Sequence, residues 1–386
     1  MNKGRILLFA LVALLAVSCV KDPTAEPESQ AVSTNVAKKI INTSENAIAG
    51  ELILYVNEET ADQWAEAEDV TRSGNDALDA LAAEYGATSI EPVFNMAING
   101  DEKRAMNMHR WYVVKFDEEA NLDVVAEKFA SMKEINRVQF STVLARPQVS
   151  VHPVQERLAT RADGDMPFND PMLELQWHYD NQGLTSIYQT AKKGEDINAF
   201  AAWEHTAGNR QVVVAVMDEG VKYNHPDLMD NMWVNQKELD GQEGVDDDGN
   251  GVKDDIYGYN FIKDNGKINA ATAGEGAPGH GTHVAGIVAA VNNNGTGVCG
   301  VAGGTGKGDG VRLMSCQILD GGRSTNANAA AHAFIYAADN GAHIAQCSWG
   351  YQGGMYESDY EYYYYYSIEY FAIQYFLDKE RWAEND

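Results

Sequence analysis

The stretch that decides the fold reads Gly-His-Gly-Thr-His-Val-Ala-Gly-Ile-Val over residues 279–288. His280 stands at the N-terminus of a predicted helix, where the helix dipole disfavours the imidazolium and keeps the ring neutral and basic. Such a ring suits a general base, and a histidine that only caps the helix or fills the core is the alternative. The helix is predicted from apolar side chains at the i, i+3, i+4 and i+7 positions, which form one buried stripe: Val284, Ile287, Val288 and Val291.

A second stretch, Gln-Val-Val-Val-Ala-Val-Met over residues 211–217, ends directly before Asp218. Its β-branched content is typical of a strand that is buried on both faces. Sites of open α/β sheets form at the carboxyl ends of strands, and Asp218 follows such an end. A carboxylate there can orient a histidine through its Nδ1–H, and an ordinary aspartate that closes a turn is the alternative.

Two folded units are expected. From residue 211 onward, strands and helices alternate, which predicts an α/β fold with a mostly parallel sheet and helices on both faces. Residues 49–146 carry the order β-α-β-β-α-β, which is typical of a small ferredoxin-like α+β domain. Residues 147–166 contain prolines and arginines with little periodicity, so we expect an exposed connector that proteases cut. Residues 167–386 form the second unit.

Two blocks of the second unit resemble a known family. Residues 214–221, followed by Asn-His-Pro-Asp-Leu over 224–228, resemble the aspartate block of subtilisin-like serine proteases. Residues 279–286 resemble the histidine block of that family, and the order Asp before His is that of subtilisin. The resemblance covers nearly all of the second unit and implies a partial subtilisin-like fold. It also implies a serine endopeptidase acting on peptide or protein substrates, in which Asp218 orients the general base His280.

A third block, Ser348-Trp349-Gly350, resembles the substrate-binding strand of the family, which usually reads Ser-Leu-Gly. The resemblance implies that its backbone pairs with an extended peptide and that its side chains line the specificity pocket. Trp349 either reshapes that pocket or packs into the core. Residues 321–323 match the opposing edge of the cleft less clearly, and Glu219 departs from the small residue that usually follows the aspartate.

The nucleophile of the family lies in a Gly-Thr-Ser-x-Ala motif and its oxyanion asparagine in an Ala-Gly-Asn stretch, both after the third block. Neither motif occurs between Gly350 and Asp386. We therefore expect an Asp-His-Ser triad whose serine lies beyond Asp386, and a fragment that is inactive as given. The alternative is a non-catalytic surface lipoprotein, a calcium-stabilised binding module derived from such a protease.

Calcium is the expected cofactor. The segment Asp-Asp-Asp-Gly-Asn-Gly-Val-Lys-Asp-Asp over residues 246–255 places oxygen-bearing side chains at the spacing of a calcium loop, although Tyr257 replaces the glutamate at position 12. A solvated acidic loop is the alternative. The family resemblance implies a second calcium site with Gln176, Asp227 and Asn293 among its ligands. The ligands expected in the loop are Asp246, Asp248, Asn250 and Asp254.

The first unit resembles the propeptide of the same family in its order of elements. This resemblance implies that residues 49–146 act as the protein's own propeptide, which assists folding and inhibits the peptidase. Its C-terminal strand end is then expected in the cleft until the chain is cut between residues 146 and 165.

Residues 1–19 are predicted to be a signal peptide. A basic start precedes an apolar run over residues 6–17 that is too short to span a bilayer. The run leads to Ala-Val-Ser-Cys, which resembles a bacterial lipobox and predicts lipidation of Cys19. Residues 20–48 form a polar linker. We expect an exported protein that a lipid anchor attaches to the membrane of the bacterial cell envelope, with plain secretion as the alternative.

The composition of the chain also limits the kinds of partner that it can bind. The chain carries 57 acidic against 29 basic residues, a formal net charge of −28. Such a surface repels phosphate backbones, so nucleic-acid binding is not expected. Cys299, Cys316 and Cys347 lie in apolar contexts without metal-binding spacing and are expected to be buried free thiols.

Overall fold

The computed structural model describes residues 34–66, 76–147, 166–183, 190–270, 279–324, 326, 328–352 and 367–383. The predicted lipidation site Cys19, its signal peptide and most of the predicted connector lie outside these residues, and they stay predictions. Within the described ranges, no helix combines the length and the apolar character that a membrane crossing requires.

The first unit is an α+β domain. Its helices and strands are α1 (Thr34–Ala37), β1 (Ala47–Val56), α2 (Glu58–Ala65), α3 (Asp76–Glu84), β2 (Ser89–Pro92), α4 (Gly100–Ala105), β3 (Trp111–Lys115), α5 (Leu122–Ser131), β4 (Ile135–Thr142) and the short strand β5 (Leu144–Ala145). The four sheet strands and the helices α3 and α5 follow the predicted order. The helices α2 and α4 were not predicted, and α1 and the buried Ile41 lie within residues 20–48, where only a linker was expected. Strands β1 to β4 form an antiparallel sheet in the order β2-β3-β1-β4. Asn57 and Asn121 cap α2 and α5 through side-chain oxygens that accept backbone N–H groups of the first helical turn.

The second unit is built on a parallel sheet. Its elements are α6 (Ala199–Trp203), β6 (Val213–Asp218), α7 (Gln236–Asp240), β7 (Gly258–Asn260), α8 (His280–Ala289), β8 (Arg312–Gln317), α9 (Ala329–Asp339), β9 (Ile344–Cys347), β10 (Gly350–Tyr351) and α10 (Ile368–Ala383). Strands β6 to β9 run parallel in the order β7-β8-β6-β9. The predicted α/β class with a parallel sheet is confirmed.

Strand β6 is buried on both faces, as its sequence predicts. Val214 and Val216 pack in one apolar cluster with Val284 of α8. Ala215 and Met217 pack in a different cluster, which contains the alanine-rich face of α9. Because successive side chains of a strand point to opposite faces, helices cover the sheet from both sides.

Helix α8 turns a different stripe toward the sheet than the apolar spacing predicts. Gly281, Val284, Ala285 and Ala289 are buried, whereas Ile287 is 43% exposed. The prediction was wrong for Ile287, because small residues let the helix approach the sheet closely and leave Ile287 on the opposite side.

Two of the three cysteines outside the signal peptide match expectation. Cys299 and Cys316 are buried free thiols. Cys347 is exposed instead. It lies at the end of β9, which is an edge strand of the parallel sheet among the described residues.

The two units share one apolar cluster. Ile53 and Trp111 of the first sheet lie in it together with residues of α9 and α10. Polar contacts reinforce this packing. Lys103 Nζ lies 3.1 Å from a carboxylate oxygen of Asp339, with both side chains at least nine-tenths buried. The Gln139 carboxamide accepts the backbone N–H of Ile368 at the start of α10.

Candidate active site

Asp218 ends β6 and is completely buried. Its register partner on β8 is Gln317, so the parallel sheet fixes its backbone from one side. One of its carboxylate oxygens accepts the backbone N–H of Glu219 at 2.7 Å. The Asp218 side chain is therefore fixed independently of His280.

His280 is the first residue of α8, and Gly279 before it adopts a left-handed conformation with φ of 62°. The ring nitrogen Nδ1 lies 2.8 Å from Asp218 Oδ1 and 2.9 Å from Oδ2. The structure thus brings together the two residues that the sequence proposed as orienter and base. In the described part of the chain, no seryl oxygen is hydrogen-bonded to His280.

Burial raises the pKa of Asp218, while hydrogen bonds from His280 and from the Glu219 amide oppose that rise. The negative charge of Glu219 raises the pKa of Asp218 further. An ionised Asp218 that accepts Nδ1–H fixes the tautomer of His280 and leaves the Nε2 lone pair to accept a proton. A proton on the imidazole would in turn be stabilised by the same carboxylate.

Gly281 allows helix and strand to approach this closely. A Cβ atom at this position would lie 2.5 Å from the carbonyl oxygen of Gly220 and 3.1 Å from the Cβ of Asp218. Any larger residue would separate α8 from the end of β6. The glycine after His280 is thus required by the geometry of the pair.

The predicted substrate-binding residues lie next to this pair. Gly350 begins β10, which pairs antiparallel with β5 of the first unit in the register Gly350 with Ala145. Trp349 is half-buried, and its indole N–H donates to the carbonyl of Met217 at 2.9 Å. Ser348 accepts a hydrogen bond from the Gln346 amide. The Trp349 ring therefore braces the strand that carries Asp218.

On the side opposite β10, β5 is hydrogen-bonded to residues 322–324 of the second unit. The amide of Ser324 donates to the carbonyl of Leu144 at 2.8 Å, and the amide of Arg146 donates to the carbonyl of Gly322 at 3.1 Å. The strand of the first unit thus lies between two edges of the second unit. The Arg146 side chain is paired with Glu219, the residue after Asp218.

The acidic loop is organised differently from the predicted calcium loop. Asp246 accepts backbone N–H groups of its own loop, and Asp254 accepts that of Gly244. Of the four predicted ligands, Asp248 and Asn250 are joined by a hydrogen bond from the Asn250 amide, whereas Asp246 and Asp254 lie outside the carboxylate cluster around Asp248. Two residues that the sequence did not suggest complete a cluster with Asp248, in which one carboxylate oxygen of each residue lies within 4.8 Å of the others: Glu238 and Asp255.

Burial raises the pKa of Asp255 to about 6. Its carboxylate accepts hydrogen bonds from the Tyr336 hydroxyl at 2.5 Å and from the Asn250 amide at 3.0 Å. Asn235 also donates to both Asp248 and Asp255. No local sequence pattern predicted Glu238, because it lies on α7 and approaches the loop only in the folded structure.

The residues proposed for the second calcium site lie near one another without sharing one centre. Gln176 makes reciprocal hydrogen bonds with the backbone of Cys299. Asp227 accepts from the Asn294 side chain at 2.9 Å and from the Val298 amide at 3.0 Å. Asn293 instead donates to the carbonyl of Thr305 and accepts the amide of Asn169. The side chain that reaches Asp227 is that of Asn294, one position later.

The parallel sheet carries a buried Asp–His pair at a strand end, next to a strand, β10, that pairs with β5. An Asp–His pair in this arrangement is characteristic of serine-peptidase-type sites. Residues 209–374 match the family model described as the subtilase family. Through this segment the chain is similar to members of the subtilase family.

The chain is also similar to curated serine proteases. Subtilisin-like protease 1 of Plasmodium vivax is 39% identical over 176 residues, which are 45% of this chain and 24% of the relative. The halolysin-like extracellular serine protease Nep of Natrialba magadii is 34% identical over 156 residues, or 40% of this chain and 24% of the relative. The chain spans about a quarter of the length of these relatives.

The chain is also similar to solved structures of serine proteases. The serine protease of Aeromonas sobria in complex with its chaperone covers 47% of this chain and 24% of its own, with 23% identity and a TM-score of 0.32. The epidermin leader peptide processing serine protease of Staphylococcus aureus covers 86% of this chain and 57% of its own, with 13% identity and a TM-score of 0.42.

Proposed function

We propose that this protein is a serine endopeptidase that hydrolyses peptide bonds with an Asp-His-Ser triad. The observation that carries the proposal is the buried pair of Asp218 and His280 at the carboxyl end of β6. The match of residues 209–374 to the subtilase family model supports it. The serine and the oxyanion asparagine are proposed to come from sequence after residue 386, because their motifs do not occur between Gly350 and that residue.

In the proposed reaction, His280 Nε2 accepts the proton of the seryl hydroxyl while the seryl oxygen bonds to the carbonyl carbon of the substrate. Asp218 holds Nδ1–H and stabilises the imidazolium that forms. The imidazolium then protonates the leaving amine as the C–N bond breaks. Water, deprotonated by the same histidine, attacks the acyl-enzyme, releases the carboxylic acid and restores the serine.

A fluorophosphonate probe tests this proposal. The gene is read past the codon for Asp386, and the full-length protein and residues 1–386 are each treated with the probe. We expect labelling of the full-length protein, loss of that labelling in His280→Ala, and no labelling of residues 1–386. Labelling of residues 1–386 would place the nucleophile within them, and absence of labelling in both would contradict a serine peptidase.

We also propose that residues 49–146 are an inhibitory propeptide. The support is the position of β5, which pairs with β10 and accepts a hydrogen bond from Ser324 on the opposite edge. Leu144 is fully buried there. A substrate that binds as an extended strand would need the same two edges, so β5 and substrate exclude each other.

Leu144→Asp in the full-length precursor tests this inhibition. An aspartate in the buried position loosens β5, and we expect peptidase activity to appear earlier than in the wild type. Val124→Asp is the matched control, because Val124 is 44% exposed in the same domain. Equal onset of activity in both variants would contradict the role of β5.

Calcium is proposed as a structural ion at the acidic loop. Glu238, Asp248 and Asp255 offer hard carboxylate oxygens within 4.8 Å of one another, which is the donor set that Ca²⁺ prefers. The ion would neutralise three charges in a partly buried site. The second site is supported less, because calcium at Asp227 would have to replace hydrogen bonds from Asn294 and Val298.

Thermal unfolding with calcium and with a chelator tests the loop site. We expect calcium to raise the Tm of the wild-type chain and to leave that of Asp248→Asn nearly unchanged. Asp230→Asn, an exposed aspartate in the short 3-10 helix Met229–Asn231, is the control and should keep the wild-type response. An equal response in Asp248→Asn would contradict this site.

Finally, we propose export with lipidation at Cys19, supported by the sequence of residues 1–19. Membrane fractions of cells expressing the full chain should contain the wild type. Cys19→Ser should move to the soluble extracytoplasmic fraction. Retention of this variant in the membrane would contradict the anchor.

A further inference from the structure

Glu219 is a carboxylate in an unusual place. It follows Asp218 directly, its side chain is only 3% exposed, and its Oε1 lies 2.8 Å from Nε of Arg146. Its other oxygen, Oε2, is buried without a hydrogen-bond partner among the described residues. A buried carboxylate is costly unless a cation pairs with it, so the position favours a positively charged neighbour.

The neighbour comes from the strand that lies in the cleft. Arg146 follows β5, and its guanidinium packs over Gly322, where a Cβ atom would lie 3.3 Å from Nε and 3.4 Å from Cζ. Gly322 has φ of 85° and is buried, so it leaves room for the flat guanidinium. The Arg146 side chain is 12% exposed. Gly322 and Glu219 cover part of its buried surface.

The register of the strand is set independently of this side chain. Gly350 pairs with Ala145, and the amides of Ser324 and Gln352 donate to the carbonyls of Leu144 and Val143 at 2.8 and 3.0 Å. A peptide bound along the same edges therefore presents its residue corresponding to Arg146 to Glu219.

We infer that Glu219 is a specificity-determining residue, which selects substrates with arginine at the position that Arg146 occupies. This inference rests on the proposed peptidase function and names the substrate class of its cleft. Lysine fits less well, because it lacks the planar group that lies over Gly322 and contacts Glu219 through Nε. The pocket rejects a glutamate at this position, since two carboxylates would be buried together.

The first measurement needs no catalysis. Amide hydrogen exchange of Ser324 and Gln352 in residues 1–386 reports whether β5 is docked, and neither amide belongs to a substituted residue. Arg146→Gln and Glu219→Gln should each accelerate this exchange about tenfold, the magnitude of one charge-assisted hydrogen bond. The double variant should add little, and Arg146→Glu with Glu219→Arg should restore protection. Glu204→Gln, an exposed glutamate at the end of α6, is the control.

Protection of the β6 amides in each variant reports that the sheet has folded. If either single variant retains wild-type protection of Ser324 and Gln352, the pair does not govern docking and the inference is overturned.

The second measurement uses peptides with the sequence of residues 141–152, carrying Arg, Lys, Gln or Glu at position 146. For the full-length processed enzyme, kcat/KM should be about 10- to 100-fold higher for Arg than for Gln. In Glu219→Gln this ratio should fall to near one, and in Glu219→Arg the Glu peptide should become the best. Cleavage without preference for Arg, or a preference that survives Glu219→Gln, overturns the inference.

The proposed peptidase function and the proposed role of Glu219 can be contradicted by different results. No cleavage of any peptide, together with no fluorophosphonate labelling, contradicts the peptidase function. The exchange measurement then still decides whether Glu219 holds Arg146, and with it β5, in place.

Discussion

His280 Nδ1 lies almost equidistant from the two carboxylate oxygens of Asp218, at 2.8 and 2.9 Å, although 62 positions separate the residues in sequence. This geometry arises because the C-terminal end of β6, at Asp218, lies beside the N-terminal end of α8, at His280. The buried carboxylate cannot turn away, since its Oδ1 also accepts the Glu219 amide. The imidazole is therefore held in one orientation before any substrate arrives.

Asp218→Asn tests the importance of this orientation. The amide can donate a hydrogen bond to Nδ1 and so favours the wrong tautomer of His280, which removes the base from Nε2. We expect kcat of the full-length enzyme to fall by about 10⁴, as for the equivalent change in another serine protease. The downfield proton resonance of Nδ1–H should vanish with it.

Asp230→Asn provides the control for that measurement, because its carboxylate is exposed and outside the site. A kcat of Asp218→Asn within tenfold of wild type would show that the pair does not drive the reaction.

Gly281→Ala tests how closely α8 must approach the strand. The added methyl group would lie 2.5 Å from a carbonyl oxygen, so helix and strand must separate. We expect a loss of about 1–3 kcal/mol in the free energy of unfolding. We also expect the hydrogen bond between His280 and Asp218 to lengthen, which a crystal structure of the variant would measure.

Gly286→Ala on the same helix is the matched control, because a Cβ atom there meets nothing within 4 Å. It should be neutral or stabilising by up to about 1 kcal/mol. Equal destabilisation by both changes would indicate that helix glycines matter for another reason.

The sequence allowed much of this fold to be predicted. A strand that is buried on both faces needs a continuous apolar run, and residues 211–217 supply one. The four sheet strands of the first unit and its helices α3 and α5 followed from their periodicities. Local patterns placed Asp218 at a strand end and His280 at a helix start, and the family resemblance of the two blocks implied that they pair.

The remainder depended on tertiary contacts that no local pattern encodes. Glu238 joins Asp248 and Asp255 only because α7 packs beside the acidic loop. Arg146 meets Glu219 across 73 positions of sequence. Ile287 fits an apolar stripe, yet the side of α8 that meets the sheet was decided by the small residues Gly281 and Ala285.

The contact between the two units can be weakened at one buried ion pair. Lys103→Met leaves the Asp339 carboxylate buried without its cation, although Asn99 and Tyr375 still donate to it. We expect a loss of about 3–5 kcal/mol in the free energy of unfolding, measured by chemical denaturation.

Lys192→Met is the control for this loss. Lys192 pairs with Glu195 at 3.2 Å, but both side chains are largely exposed, so we expect less than about 1 kcal/mol. In the variant that combines Lys103→Met with Asp339→Leu, part of the loss should be recovered, because no unpaired charge remains. An equal effect of the two lysine changes would contradict the importance of burial.

The pH dependence of stability should reveal the buried carboxyl of Asp255. Burial raises its pKa from 3.8 to about 6, so the folded protein holds a proton that the unfolded chain has lost between these values. The free energy of unfolding therefore falls as pH rises through this window, and the fall is complete above pH 6. The size of the effect is about 3 kcal/mol, from about 1.4 kcal/mol per pKa unit.

Asp255→Asn removes this contribution, so the difference in the free energy of unfolding between the wild type and the variant should change between pH 3.8 and 6 and stay constant above it. Denaturation in the presence of a chelator measures this difference, with the exposed Asp240→Asn as control. Calcium should reverse the trend in the wild type, because an ionised Asp255 binds the cation and a protonated one does not. Parallel pH profiles of the wild type and Asp255→Asn in chelator would show that this carboxyl titrates as it does in the unfolded chain.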